Sequence, residues 1–503
     1  MSTSDPFADA PEALRNTLTH RGFTALTAVQ RAVLGADSLG HDLRISSQTG
    51  SGKTVALGLA LARSFLAPHD DPETEAPPPI GKRPGPVALI ITPTRELAQQ
   101  VCEELRWLLA ELPGMRIDYV TGGTDLRGER RMLRRPPTIL VATPGRLLDH
   151  MRAEAVRCAT VEHVVLDEAD RMLEMGFRED LEAIIDLLPK ERSSHLVSAT
   201  FSGPVRHVAD RFQRNPIHLE GTKLGEANED IDHVVHLVAP LQRYATLVNA
   251  LLLALNEQVL VFVDRRIEAS ELAEQLAGDG FAALPFSGDL SQAQRNRTLH
   301  AFRTGTIQVL VSTDVAARGI DVPNISMVVH MSPPHNADDY THRSGRTGRA
   351  GRQGRSIMMV PPRAQFHAER LLSGAKIDVN WQPVPTPAKI HKAITKRTRR
   401  QLHEHLDGEE GPTEKTLNYA AQLIEGRDPA TVIATLLEMA EPRLPRDPLK
   451  VEPLTPRTFD RNDRHRGGPS NDQRHRGRGT EPARGAKSRR GKVRRTPSTG
   501  HRP

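Results

Sequence analysis

Two groups of residues in the chain have the types and spacing for phosphate chemistry. The stretch SQTGSGKT, residues 47–54, places Gly50 and Gly52 ahead of Lys53 and Thr54, with Ser47 where the phosphate-cradling pattern usually has glycine. Glycines at these positions let backbone N–H groups wrap a phosphate chain, a lysine there reaches the β- and γ-phosphates, and a threonine hydroxyl can ligate Mg²⁺. Ser47 costs little, because the N–H groups and Lys53 do the binding. Downstream, Asp167 and Glu168 end an apolar run; the first suits a second Mg²⁺ anchor and the second can polarise an attacking water. Alone, the first group reads equally as a turn and the second as a solvated acidic face. In this order, on alternating strands, they describe a nucleotide site.

A further cluster, YTHRSGRTGRAGRQG at 340–354, spaces Arg343, Arg346 and Arg349 by three residues. Planar guanidinium forks suit phosphate oxygens. By itself the cluster reads as a basic, nucleic-acid-binding loop. With a nucleotide held by the first half of the chain, arginines from the second half would couple closure to the γ-phosphate.

Such groups need a scaffold that brings loops together. Residues 40–220 alternate short apolar runs (LRIS, VALIIT, TILVAT, HVVLD, HLVSAT) with amphipathic helical stretches, and the alternation restarts after 232 with HVVHLVA, QVLVFVD, AALPFSG, IQVLVST, SMVVHMS and RSIMMVP. This pattern predicts an α/β fold of two tandem parallel-sheet domains. The runs deliver SQTGSGKT, PTRELAQQ, TPGR, DEAD and SAT at their ends, where ligands bind in open α/β sheets. The expected organisation is a first domain over 1–220, a linker at 221–232, a second domain over 233–370, a helical region at 371–445 and a disordered basic tail at 446–503.

Composition bounds the rest. The 503-residue chain carries a net charge of +6, but residues 461–503 hold 14 Lys and Arg against Asp463, Asp472 and Glu481, a net +11, so the first 460 residues sum to −5. That tail lacks Leu, Ile, Met, Phe, Trp and Tyr and cannot offset its ordering entropy by burial. It reads as a sequence-independent tether for a nucleic-acid backbone or as a solubilising end. Residues 1–15 lack the basic start and apolar run of a secretory signal, and the longest apolar stretch, 246–264, is broken by Asn249, Asn256, Glu257 and Gln258, so no membrane span is expected. Cys102 and Cys158, the two cysteines, cannot build a disulfide framework. The expected location is cytoplasmic.

The full set of motifs resembles the DEAD-box RNA helicases over roughly residues 7–365: GFTALTAVQ (22–30), SQTGSGKT, PTRELA (93–98), Gly122 with Gly123, TPGR (143–146), DEAD (167–170), SAT (198–200), VFVD (261–264), QAQR (292–295), TDVAARGID (313–321) and HRSGRTGR (342–349). The resemblance implies a RecA-like fold for each domain, RNA-stimulated ATP hydrolysis and local, poorly processive duplex separation. The alternative is an ATP-gated RNA clamp or scaffold, and a DNA helicase is a third reading. Gln30 would read the adenine edge, Phe7 would cover its ring, and Phe23 would belong to the same nucleotide-binding set. Ser47, Gln48, Thr49, Gly50, Ser51, Gly52, Lys53 and Thr54 would hold phosphates, and Thr54 and Asp167 Mg²⁺. Glu168 would be the general base. Ser198 and Thr200 would couple hydrolysis to strand separation, with Asp170 and His342 as cross-domain partners. Asp321 would meet the ribose, and Arg346 and Arg349 the γ-phosphate. RNA would cross Pro93, Thr94, Arg95, Gly122, Gly123, Thr143, Pro144, Gly145, Arg146, Gln292, Arg295 and Thr313, with ribosomal RNA or a ribonucleoprotein as target. Residues 371–445 would support a homodimer or pack on the second domain.

Overall fold

A computed structural model describes residues 5–35, 40–46, 52–66, 78–198, 200–201, 203–220, 230–317, 322, 325–348, 352–408, 411–440 and 444–457. Ser47, Gln48, Thr49, Gly50, Ser51, Asp321, Arg349 and the basic tail from 461 lie outside the described residues.

The first lobe is built on seven strands: β1 (Leu43–Ser46), β2 (Ala88–Ile91), β3 (Ile117–Val120), β4 (Ile139–Ala142), β5 (His163–Asp167), β6 (Ser193–Ser198) and β7 (Ile217–Glu220). They form one sheet in the order β3-β4-β2-β5-β6-β1-β7, with every pairing parallel. The second lobe has six: β8 (Ile231–Leu237), β9 (Gln258–Val263), β10 (Ala283–Phe286), β11 (Val309–Thr313), β12 (Ile325–His330) and β13 (Gly354–Val360). Their order is β10-β11-β9-β12-β13-β8, again all parallel.

Helices cover both faces of each sheet, which is why the central strands read as continuous apolar runs. Val164, Val165 and Leu166 of β5 and Leu260 and Val261 of β9 are at most 0% exposed. The helix Lys53–Leu66 packs its apolar face beneath the sheet of the first lobe, with Ala56, Leu59 and Ala62 in the core. At Gly58 an added Cβ would meet Leu108 Cδ2 at 2.4 Å, so glycine there allows the helix Arg95–Leu108 to come close.

The second lobe extends further along the chain than the sequence pattern suggests. Trp381 bridges Val235 beside β8, and residues 444–457, assigned from composition partly to the disordered tail, lie against this lobe. Leu444, Leu449 and Val451 pack on its core. Asn249, itself buried, donates to Leu449 O at 2.8 Å and accepts from Leu449 N–H at 2.9 Å. Arg446 and Tyr244 both meet Asp279. A Pro- and charge-rich stretch conceals its few apolar contacts from a composition argument. The second lobe also begins at Ile231, inside the expected linker.

In the helical region, Pro387–Leu406 packs through Ile390 on the second lobe. The helices Glu414–Ile424 and Pro429–Ala440 have no buried residue.

Candidate nucleotide and RNA site

β1 leads into the phosphate loop, and Gly52 marks its end with φ +83°. A Cβ there would also strike Gln30 Nε2 at 2.4 Å. Gln30 is buried in the helix Ala28–Gly35; its Oε1 accepts from Thr27 N–H at 2.9 Å and its Nε2 donates to Gly52 O at 3.2 Å. The GFTALTAVQ element is therefore tied directly to the phosphate loop. Phe7 does not lie open to a base. Its side chain is 3% exposed within the core that contains Leu14 and Leu18. Phe23 packs on Trp107, ring centroids 5.9 Å apart.

Lys53 opens its helix and is buried, with Thr54 half-buried beside it. Asp167 ends β5, and burial pushes its carboxyl up to about 6, against the pull of Lys53 and with the push of Glu168. Its Oδ1 is buried with no hydrogen-bond partner among the described residues. A buried, unpartnered carboxylate oxygen within the electrostatic reach of a lysine is what a divalent cation would satisfy. The residues present fit Mg²⁺ held with phosphate oxygens, and among the described residues no group of three or more His, Cys, Asp or Glu forms an all-protein metal cage. Glu168 sits at φ 54°, ψ 51° before the helix Ala169–Glu174, a left-handed conformation that is uncommon for a non-glycine residue and clusters at functional sites.

Asp170 is buried and bonds within its own lobe: its Oδ2 accepts from both N–H and Oγ1 of Thr200 at 3.0 Å. Ser198 Oγ donates to Thr200 O at 2.7 Å. DEAD and SAT are thus one hydrogen-bonded unit. The expected Asp170–His342 pairing is replaced by its neighbour: Arg171 reaches His342 and Asp339 on the helix Ala337–Ser344. Arg343 is held within the second lobe: its Nε and Nη2 grip Asp314 at 2.5 and 2.6 Å. Arg346, three residues on, is 8% exposed.

On the other side of the cleft, the ends of β2, β4 and the segment after β3 meet the second lobe around a cavity of ≈ 350 Å³. Pro93, Thr94, Arg95, Gly122, Thr143, Gly145, Arg146, Gln292 and Arg295 all line it. Gly123, Pro144 and Thr313 lie outside that lining; Gly123 has φ +77° and admits Arg95, whose Nη1 would lie 2.2 Å from a Cβ. Thr94 caps the helix Arg95–Leu108 by accepting from Leu97 N–H at 3.2 Å, and Thr143 precedes a helix with Pro144 in its first turn, where proline is pre-organised.

The lobes are joined here by Glu96. Its Oε1 accepts from Arg295 Nε at 2.6 Å and Gln292 Nε2 at 3.4 Å, while Arg95 Nη1 donates to Gln292 Oε1 at 3.2 Å. A second acid, Glu129, organises the floor. It accepts from Thr121 N–H at 3.1 Å, Arg146 Nη1 at 2.6 Å and His150 Nε2 at 2.7 Å, and also from Thr124. Burial alone would raise this carboxyl, but the bonds from His150, Thr124, Arg146 and Thr121 reverse that and hold it at about 2. Sequence reasoning missed both acids and Arg171. Glu96 was visible inside PTRELA; Glu129, one acid among the arginines of LRGERRML, gave no signal of its own.

Two parallel-sheet lobes that meet through Glu96–Arg295 and Arg171–Asp339, with Lys53 and Asp167 on the first and a polar groove between them, have the make-up of a two-lobed nucleotide-dependent enzyme. The DEAD/DEAH box helicase family matches residues 27–208 and the helicase conserved C-terminal domain family residues 242–351. The chain belongs to the DEAD-box ATP-dependent RNA helicases: the helicase CshA of Bacillus licheniformis is 32% identical over 453 residues, 89% of each chain. CshA of Bacillus subtilis is 32% identical over 431 residues, 85% of this chain and 83% of the relative. Among solved structures, Saccharomyces cerevisiae Dbp5 bound to RNA and ADP BeF3 superposes with a TM-score of 0.67 at 26% identity, covering 77% of this chain and 97% of that one. Among the described residues no helix is long and apolar enough to cross a membrane.

Proposed function

We propose that the chain hydrolyses ATP in an RNA-stimulated manner and uses closure of its lobes to separate short RNA duplexes locally. The observation that carries this reading is the continuous hydrogen-bonded path from the DEAD segment through Asp170 to Thr200 and, by way of Arg171, to the helix of the second lobe that bears His342 and Arg343.

Among the described residues, Gln30 has one N–H and one oxygen lone pair beyond its bonds to Gly52 and Thr27. These complement N7 and the N6 amino group of adenine, which supports ATP as the nucleotide. Lys53 and the loop before it would bind the phosphates. Thr54 and Asp167 would hold Mg²⁺, whose charge would offset that of the phosphate oxygens. Glu168 would take the proton from the attacking water, and Arg346 and Arg349 would stabilise charge on the transferred phosphoryl group.

RNA would cross the groove bounded by Thr94, Gly122, Thr143, Gly145 and Arg146 through sugar-phosphate contacts, which position a strand without reading its sequence. The CshA relatives and the RNA-bound Dbp5 support that substrate class. Structured RNA, such as ribosomal RNA within a ribonucleoprotein, is the proposed physiological target. The exposed apolar side chains Leu417, Tyr419, Ile433, Leu436 and Met439 support a homodimer through the two helices between 414 and 440, and the basic residues beyond 461 support an RNA tether.

A strand-displacement assay tests the proposal. A short RNA duplex with a single-stranded extension should be separated only with ATP, and RNA should stimulate ATP turnover more than single-stranded DNA does. Stimulation without displacement would instead assign an ATP-gated clamp.

A further inference from the structure

The helix Pro387–Leu406 carries charge that its lobe does not neutralise. Its inner side is fixed: Thr386 caps it, Ile390 is 0% exposed, Ile394 packs on the same core, and Arg397 Nη1 lies 3.4 Å from Glu257. Its outer side presents Lys389, Lys392, Lys396 and Arg399, all exposed. Steps of three and four residues put these four cations on one face, turned away from Ile390 and Ile394.

The 20-residue helix contains six Lys and Arg against one acid, Glu404, in a chain whose first 460 residues sum to −5. Arg400 has Glu404 as partner at 2.8 Å. Lys389, Lys392, Lys396 and Arg399 have no side-chain hydrogen bond or ion pair among the described residues. Like charges at these spacings repel, so the stripe works against its own helix until an anion covers it. From Lys389 to Arg399 the face runs about 15 Å at 1.5 Å per residue, long enough to follow several successive charges. The helix has no Phe, Tyr or Trp, the residues of a base-stacking platform.

We infer that this outer face is a docking surface for the phosphate backbone of RNA outside the cleft. Glu257, against which the helix leans, immediately precedes β9. That is the edge of the sheet opposite the strand ends that face the first lobe. The surface therefore takes RNA that extends past the cleft and around the second lobe, and it contributes affinity without sequence preference. The inference rests on the RNA reading above.

The test uses the full-length chain with Lys389→Gln, Lys392→Gln, Lys396→Gln and Arg399→Gln combined; none of these residues touches the cleft, and glutamine keeps helix propensity. RNA affinity is measured against KCl concentration with two probes, a hexanucleotide that the cleft alone can hold and a strand of thirty nucleotides. For the longer strand, the slope of log affinity against log salt should become shallower by about 3, since each single-strand phosphate contact contributes roughly 0.7. The hexanucleotide should bind as before, and ATP turnover at saturating RNA should not change. Arginine at the three lysine positions should preserve the parental slope, separating charge from folding. An unchanged slope for the longer strand overturns the inference, as does an equal loss on the hexanucleotide. Competition by polyglutamate as effective as RNA of equal charge would assign the surface to an acidic protein instead. An unstimulated parent enzyme would sink the functional reading while leaving this slope measurable.

Discussion

Arg171 of the first lobe and Asp339 of the second face each other across the cleft, Nη1 to Oδ1 at 3.4 Å, while the same guanidinium holds Glu174 at 2.5 Å and meets His342. Its side chain is 5% exposed, against 17% for Asp339. A charge so enclosed depends on its partners, because removing one leaves the other poorly solvated. Arg171 thus links the segment that carries Asp167 and Glu168 to the helix that carries His342 and Arg343.

Arg171→Ala should lower RNA-stimulated ATP turnover by about tenfold or more, equivalent to roughly 1.4 kcal/mol of transition-state stabilisation. Exchanging the charges, Arg171→Asp with Asp339→Arg, should restore part of that loss relative to either single change. Steady-state kinetics on the four proteins give the coupling; additive losses would refute the link.

Lys53→Ala should abolish ATP turnover. Glu168→Gln should keep ATP and RNA binding but lose hydrolysis, because a neutral amide cannot take the proton from water. Equilibrium binding and single-turnover hydrolysis separate the two; parental turnover in either protein contradicts its assigned role.

Glu129→Ala should strip Arg146 and His150 of their shared acceptor. Breaking a buried pair from one side costs about 3–5 kcal/mol, and a denaturant titration should register a loss of that order. In the surviving folded protein, the RNA concentration for half-maximal ATP turnover should rise more than the turnover at saturation falls.

The first lobe should also be sensitive to acid. His163 and His195 stack at 5.9 Å with their rings 12° from parallel. Burial, with Arg83 nearby, lowers His163 to about 4, and burial, with His163 nearby, lowers His195 to about 3. In the unfolded chain both would titrate near 6.5, so stability present above that pH is lost as pH falls, by about 1.4 kcal/mol per unit for each histidine. His163→Gln should flatten unfolding midpoints recorded from pH 7 to pH 4; an unaltered dependence would exclude this pair as its source.

Truncation after residue 457 should leave the second lobe intact, whereas truncation after 443 removes Leu444, Leu449 and Val451 from its surface and the backbone partners of Asn249. The second cut should cost on the order of 3 kcal/mol from lost apolar burial and unpaired polar groups, visible as a lower thermal midpoint. Both cuts remove the basic tail, so both should flatten the salt dependence of RNA binding.

Eleven strands were legible as apolar runs, most clearly the central ones such as β2, β4 and β9, because a strand buried on both faces writes itself as a run of Val, Ile and Leu. β3 and β7, the edges of the first sheet, were not. Their four residues bury in the patterns of Ile117–Val120 and Ile217–Glu220, where Asp118, Tyr119 and His218 interrupt the run. The positions of Lys53 at a helix start, Asp167 at a strand end and Arg146 on the groove were legible because the motifs that carry them follow apolar runs. Roles fixed by a partner far along the chain were not. The sequence showed neither the ion pair that Arg343 makes with Asp314 nor the burial of Phe7 among Leu14 and Leu18.

The bond between Gln30 and the carbonyl of Gly52 has one more implication. The amide proposed to recognise the base also braces the hinge of the loop proposed to hold the phosphates, so selectivity and catalysis share a fulcrum. A substitution made to admit a different purine would disturb hydrolysis at the same stroke, and this chain could not broaden its diet of nucleotides one residue at a time.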